Sequence, residues 1–231
     1  MRTVTSCFAA AVLAASLSHA QGATPGVEVT GGDQLVEKKG AFAATWVRPD
    51  ADISRYSKLY LWEPEFKFRE GGETSAGTTS KMLSGDSGPF AIRPEDRERF
   101  KQLVRDAFVA ELARSKMFEV VDTVGPGTLI VRAGFVDITS NVPPNVSRYG
   151  NVHLAAVGEA TIFFELIDAS TGVIQARAGE RRLIQPEARM RGVNSAPTNS
   201  ATVWRDVELW AHEQARALRQ ALEKAKKKAE K

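Results

Sequence analysis

Gly158-Glu159-Ala160-Thr161-Ile162-Phe163-Phe164-Glu165-Leu166-Ile167-Asp168 is the stretch of this 231-residue sequence that decides the fold. Its apolar face consists of Ala160, Ile162, Phe164 and Leu166. Its other face consists of Glu159, Thr161, Phe163 and Glu165. This period of two predicts a β-strand with one buried face. The turn Asp168-Ala169-Ser170-Thr171-Gly172 returns the chain into Val173–Ile184, so an antiparallel hairpin is predicted.

The second strand of this hairpin carries a conflict in its own pattern. An apolar face is set by Ile174, Ala176 and Ala178. Glu180 and Arg182 then continue the same phase. A bulge at Gly179 would shift the phase, but it would turn Arg181 inward instead. Two alternatives remain: a charge lies at the rim of the sheet, or the strand leaves the core.

Arginines are concentrated in and after this strand. The candidate cationic cluster consists of Arg177, Arg181, Arg182, Arg189 and Arg191. Guanidinium groups bind anionic groups through paired hydrogen bonds, so these residues are candidate contacts for an anion or a partner. The alternative is a solvated edge strand whose charges prevent pairing with another sheet.

Two amphipathic helices are also predicted. The first begins near Pro94, which suits a first helical turn. Its buried stripe consists of Phe100, Leu103, Val104, Ala107, Phe108, Glu111 and Leu112, of which Glu111 alone is not apolar. The second helix runs from Ala201 to Lys228 after a cap at Asn199 or Ser200. At about 1.5 Å per residue it would be about 42 Å long, so its last turns are expected to project or fray.

The end of the second helix is a basic tail. Its candidate contact residues are Lys224, Lys226, Lys227 and Lys228. They could contact a partner or an anionic membrane surface. Equally, cations suit the negative end of a helix and need no other explanation.

Three further strands complete the predicted domain. They are Leu59–Phe68, with an edge or a bulge at Pro64, then Phe118–Asp122, and Leu129–Ile138. The order β-α-β-β-β-β-α predicts an α+β fold, in which a mixed or mainly antiparallel sheet of about five strands packs with two helices. Residues 45–231 are predicted to form this single domain, and residues 21–44 a flexible tether.

Residues 1–20, MRTVTSCFAAAVLAASLSHA, have the features of a secretory signal peptide that ends at Ser18-His19-Ala20. We therefore expect a periplasmic or secreted protein with no transmembrane span after cleavage. Cys7 is the single cysteine, so cleavage would exclude disulfides and cysteine-based sites. Val4-Thr5-Ser6-Cys7 has the letters of a lipoprotein box. The apolar segment follows this cysteine instead of preceding it, so lipid anchoring is not expected.

Several classes of function have no support in the sequence. A formal net charge of +3 argues against a dedicated nucleic-acid-binding protein. His153 and His212 have no second histidine at ligand spacing, and no nucleotide-binding loop or serine elbow is present. No cofactor, metal site or catalytic residue is therefore predicted.

Some landmarks of the chain carry a resemblance to a known family. They are Ala43–Pro49, Tyr56, Leu59–Leu61, Pro64, Phe118–Asp122 with Gly125–Leu129, and Leu166–Gly172. In these segments the chain resembles a bacterial envelope family, domain of unknown function 3313. The resemblance implies an exported or lipid-anchored protein of a Gram-negative bacterium. It brings no activity and no binding residues.

The leading hypothesis is a non-catalytic exported protein that binds another envelope component, protein or polymer, through one sheet edge or the long helix. One alternative is a hydrolase that acts on an anionic envelope substrate near the cluster Arg177–Arg191. Another is a carrier of apolar ligands that uses Trp62, Phe163 and Trp204. The sequence does not define an oligomeric state.

Overall fold

The computed structural model describes residues 29–70, 89–143, 153–187, 192 and 198–230. These residues form two helices, α1 (Pro94–Leu112) and α2 (Ser200–Ala229). The strands are β1 (Val36–Glu37), β2 (Ala44–Val47), β3 (Lys58–Leu61), β4 (Glu65–Phe68), β5 (Glu119–Val121), β6 (Thr128–Ser140), β7 (Gly158–Asp168) and β8 (Ile174–Ile184). The α+β class is confirmed. The predicted signal peptide with Cys7, and the candidates Arg189 and Arg191, lie outside the described residues.

The strands form one mixed sheet in the order β1-β2-β8-β7-β6-β3-β5, with β4 beside the second half of β6. The predicted hairpin is confirmed, since β7 and β8 pair antiparallel along their length. The prediction of five strands is wrong. Pro64 divides the predicted strand Leu59–Phe68 into β3 and β4, because proline has no N–H for a ladder. β1 and β2 are the other additional strands.

Residues 29–43 lie against the sheet, although the sequence predicts a tether up to residue 44. Thr30 forms a bridge with Val173, and β1 pairs with β2. Arg48 holds the segment, donating to the backbone oxygens of Gly31 at 2.8 Å and Ile174 at 3.0 Å. The predicted tether of residues 21–44 thus overlaps residues that pair with the sheet. Hydrogen bonds to distant residues and the apolar contacts of Val29, Leu35 and Phe42 order this segment, which has no apolar period.

Both helices pack on one face of the sheet, as one continuous apolar core. Phe135 of β6 lies at its centre and is fully buried. The ring of Phe66 stacks on it at 5.2 Å, and the rings of Phe108 and Trp210 meet it edge-on at 5.6 and 6.2 Å. The predicted start of α1 at Pro94 and the cap of α2 at Asn199 are confirmed. The sheet therefore has one face that is covered by helices.

β8 keeps a single phase along most of its length. Its register with β7 is continuous from Ile184 to Ala176 and shifts between Leu166 and Ile167, not at Gly179. The shift places Ile174 on the opposite face from Ala178, although the sequence pattern assigns both to one face. Glu180 and Arg182 therefore stay on the helix-covered side, where they form an ion pair at 2.7 Å. The carboxylate is buried and the guanidinium is half exposed, so the charge lies at the rim of the sheet, as in one of the two predicted alternatives.

Candidate interaction surface

No α-helix of the described residues covers the opposite face of the sheet, which we call the helix-free face. One short 3-10 turn, Gly32–Gln34, lies over its end, where Nη1 of Arg177 donates to the oxygen of Gly32 at 3.5 Å. Side chains alternate along a strand, so this face takes every second residue of the three long strands. At one end, a small apolar cluster of Ile130, Ile167 and Ile174 is covered by Val29 and Leu35 of the N-terminal segment. The rest of the helix-free face is charged, aromatic and glycine-containing.

A row of five side chains crosses this face. Trp46, Arg177, Glu165 and Arg132 are successive register partners on β2, β8, β7 and β6. Trp62 ends the row, with its ring centroid 5.7 Å from the guanidinium of Arg132. Glu165 is buried and accepts hydrogen bonds from Arg132 and from Nε of Arg177, the latter at 2.6 Å. One carboxylate thus fixes both arginines of this central row.

A second ionic group lies at the other end of the helix-free face. Nε and Nη2 of Arg69 each donate to a carboxylate oxygen of Asp137 at 2.5 Å. Arg181 donates to Asp137 at 2.8 Å and from Nε to Glu159 at 3.1 Å. The hydrogen bond from Arg69 lowers the pKa of Asp137, and the bond from Arg181 lowers that of Glu159. Both carboxylates therefore stay ionised at neutral pH.

A bulge in β6 places Asp137 in this group. The register between β6 and β7 shifts between Val136 and Thr139, and Asp137 has a φ of 56°. A bulge inserts an extra residue and redirects its side chain. The alternation of a regular strand does not predict this position.

Phe163 lies between the two ionic groups. Its register partners on the neighbouring strands are Gly134 and Gly179. A Cβ at Gly134 would come within 2.0 Å of Cε1 and Cζ of the Phe163 ring, so the ring lies directly on the backbone there. The two glycines therefore give the helix-free face a flat centre, across which a half-exposed phenyl ring lies.

The described arginines of the predicted cluster lie in three separate places. Arg177 belongs to the central row and Arg181 to the second ionic group, while Arg182 lies on the helix-covered side. Each of the three has a carboxylate partner. The described arginines thus do not converge on a single point. The predicted aromatic set also divides, because Trp62 and Phe163 lie on the helix-free face whereas Trp204 packs with the helices beneath Arg99.

The basic tail is only partly available for contacts. Lys226 is 8% exposed, and its Nζ donates to the backbone oxygens of Tyr56 at 2.6 Å and Met117 at 3.1 Å. The expectation that it is a contact on a projecting or frayed tail is therefore wrong. Its alkyl chain is long enough to reach buried carbonyl groups, which fixes the last turns of α2. The other predicted tail contacts, Lys224, Lys227 and Lys228, are exposed.

Sequence reasoning gave no role to Glu111, whose side chain is 1% exposed between α1 and α2. Its Oε1 accepts from Arg114 at 2.7 Å and lies 3.2 Å from Nδ1 of His212. Burial raises the pKa of Glu111, but the bond to His212 and the charges of Arg114 and Arg216 leave that pKa below its ordinary value. The available signal was its place in an otherwise apolar stripe. Its partners on α2 make it a link between the helices.

Two kinds of feature are absent from the described residues. They contain no group of three histidine, cysteine, aspartate or glutamate side chains placed to hold a metal ion. Neither of their two helices combines the length and the apolar character needed to cross a bilayer.

The chain belongs to the family described as "Protein of unknown function (DUF3313)", which matches residues 30–188. The resemblance seen in the sequence is thereby confirmed. None of the curated proteins matches this chain.

Three solved structures resemble the fold at low identity. Protein XCC0632 of Xanthomonas campestris, described with the family DUF330, is 10% identical and has a TM-score of 0.42, covering 90% of this chain and 97% of that one. PelC of Paraburkholderia phytofirmans, a dodecamer, is 11% identical with a TM-score of 0.31, covering 80% and 97%. The hypothetical protein CT253 of Chlamydia trachomatis is 6% identical with a TM-score of 0.33, covering 73% and 93%.

Proposed function

We propose that this DUF3313 protein is exported to the bacterial cell envelope and acts there without catalysis, by binding another envelope protein through its helix-free face. The observation that carries the proposal is the composition of the two ionic groups and the ring between them. Their four cations are all arginines, and they lie among Trp46, Trp62 and Phe163. Aromatic residues and arginine are enriched in protein interfaces, and lysine is depleted.

The charges of this face favour a protein over an anionic polymer or a membrane. Its two ionic groups contain four arginines, and the three carboxylates that neutralise them are Asp137, Glu159 and Glu165. A nucleic acid or an anionic membrane is recognised by an excess of positive charge. A surface of nearly balanced and interspersed charge is complementary to another mixed surface, which is typical of a folded protein.

The side chains of the central row are already held in place before binding. Glu165 bonds both of its arginines, so docking would immobilise few additional rotamers, and the entropic cost of association is lower. Trp46 is 37% exposed beside them and offers a large aromatic anchor. The hydrolase alternative receives less support, because the carboxylates that bond Arg177, Arg181 and Arg182 occupy the groups that would hold an anionic substrate.

The test compares two exposed apolar residues on opposite sides of the molecule. Trp46→Ser alters the helix-free face, and Val109→Ser alters the outer side of α1, where Val109 is 52% exposed. The full chain with a C-terminal tag is crosslinked in its native bacterium and purified from the envelope fraction. The protein recovered with it is identified and then tested for binding in purified form.

We expect one envelope protein to be recovered with the parent and with Val109→Ser, and its purified form to bind Trp46→Ser at least about tenfold more weakly, since anchor residues dominate interface energies. Equal binding by both variants would contradict the docking face. Recovery of the protein from the cytosol with residues 1–20 intact would contradict export.

A further inference from the structure

We propose that a second site, separate from the helix-free face, binds a single alkyl chain in a cavity of about 430 Å³. The cavity lies between the first turns of α1 and α2 and the ends of β4, β6 and β8. Its volume is near the lower end of the range of about 300 to 1,000 Å³ for small-molecule sites. This size suits one hydrocarbon chain better than a lipid with two chains.

Polar side chains line the rim of the cavity, and its floor and α2 wall are apolar. The floor and this wall include Phe100, Ile138, Ile184, Val203, Trp204 and Val207. Four of these belong to the buried core, whereas Val203 and Trp204 of α2 are half-buried. A ligand can therefore enter along the α2 wall and lie against the core without displacing it.

Backbone groups at the edge of this floor have partners. The backbone N–H of Asn141 donates to the oxygen of Val157 at 2.9 Å, and that of Val157 donates to Ile184 at 2.8 Å. None of the unpaired buried side-chain atoms of the described residues belongs to a residue that lines the cavity. The floor therefore offers no unpaired buried side-chain atom to an ordered water, and an alkyl chain can lie against it.

The rim of the cavity is polar and carries no net charge. It contains the hydroxyl groups of Ser140 and Ser200 and the ion pair of Arg93 with Asp96, at 2.8 Å. This rim can accommodate a polar head group without selecting its charge. The hydrocarbon chain is therefore the part that the site recognises, whether it comes from a free fatty acid or from a membrane lipid.

The experiment titrates the full chain with lauric acid, dodecanol and a lysophospholipid with one 12-carbon chain, each below its micelle concentration. Trp204 forms part of the wall, 4.6 Å beneath the guanidinium of Arg99, so its fluorescence reports occupancy. Native mass spectrometry gives the stoichiometry. We expect a 1:1 complex and a rise in Tm, because a ligand that binds the native state stabilises it.

Substitutions in the wall of the cavity test whether the ligand binds there. Val203→Phe fills it and should weaken binding at least tenfold, whereas Val109→Phe on the outer side of α1 should bind like the parent. Ile92→Trp, at another half-buried wall, serves the same purpose if Val203→Phe does not fold. Trp204→Phe should lose the fluorescence change and retain the 1:1 complex.

Binding of lauric acid and dodecanol alone supports the site with a free fatty acid as source, and binding that includes the lysophospholipid supports it with a lipid as source. The absence of a 1:1 complex with all three ligands would overturn the proposal, as would binding that Val203→Phe and Ile92→Trp leave unchanged. Neither result depends on Trp46, so failure here is distinct from failure of the protein-docking face.

Discussion

The two faces of the sheet are built from the same strands but by different rules. On β6, Val131, Ala133 and Phe135 enter the apolar core beneath the helices, while Arg132 and Gly134 alternate with them on the helix-free face. The covered face is a continuous packed core. The helix-free face carries ion pairs, an aromatic ring on glycine and, at one end, a small apolar cluster. Packing beneath the helices accounts for the fold, so the side chains of the helix-free face are available for recognition.

The largest expected difference between the faces comes from truncating one phenylalanine on each. Phe135→Ala should lower the free energy of unfolding by about 3 to 5 kcal/mol, because it removes a fully buried ring. Phe163→Ala should cost about 1 kcal/mol, because its ring is half exposed and less apolar area is lost. Urea unfolding of both variants measures the difference. Equal losses would break the distinction between the faces.

A smaller loss of stability is expected from a substitution at Lys226, in the last turns of α2. Lys226→Met keeps the length of the side chain but leaves the carbonyl oxygens of Tyr56 and Met117 without their charged donor. The expected cost is about 2 kcal/mol, with faster hydrogen exchange in the last turns of α2. Lys227→Met, at an exposed position, is the matched control. If the exchange rate in Lys226→Met is unchanged, Lys226 does not fix the last turns of α2, and the predicted fraying of the tail would hold.

Glu111, which links the two helices, should make the free energy of unfolding sensitive to acid. The pKa of Glu111 is lowered in the folded chain, so its contribution is present at pH values above the ordinary pKa of about 4.5 and is lost as pH falls through the folded value. Glu111→Gln should cost about 1 to 2 kcal/mol at pH 7, because the neutral amide loses the ion pairs with Arg114 and Arg216. The cost stays small since both arginines can turn to solvent.

The corresponding measurement is urea unfolding at pH 7, 5 and 3. The parent should lose more stability than Glu111→Gln below pH 4.5. Parallel pH profiles for the two proteins would show that Glu111 does not supply the acid sensitivity.

The smallest effect concerns the flat centre of the helix-free face. Gly134→Ala forces the ring of Phe163 away from the backbone, and this half-exposed ring can turn, so the expected cost is about 1 kcal/mol. In the Phe163→Ala background the same substitution should be nearly neutral. A double-mutant cycle measures this coupling. Additive losses would mean that the ring does not rest on Gly134 in solution.

Local patterns were sufficient for much of the fold. The period of two in Gly158–Asp168 and the helical stripe after Pro94 each depend on residues within a few positions, and the structure confirms both elements. By contrast, Arg48 orders the N-terminal segment by donating to the backbone oxygens of both Gly31 and Ile174, the latter 126 positions away. No window of sequence around the predicted tether contains that partner.

The candidate surface was harder to predict for the same reason. Arg177 and Arg181 are close in sequence, and alternation places both on one face of the sheet. Their carboxylate partners, however, come from other strands, β7 and β6. A count of arginines therefore predicted free positive charge, while the register supplies neutralising carboxylates. Which carboxylates neutralise the arginines depends on strand order, and strand order could not be predicted from the sequence.

Site-specific photocrosslinking tests the docking face most directly. A benzophenone amino acid replaces Phe163, at the centre of the helix-free face, or Val109, on the outer side of α1, in the full chain expressed in its native bacterium. The account predicts a crosslink to one defined envelope protein from position 163 and none to that protein from position 109. No crosslink from position 163 in the exported protein, or the same product from both positions, would contradict it.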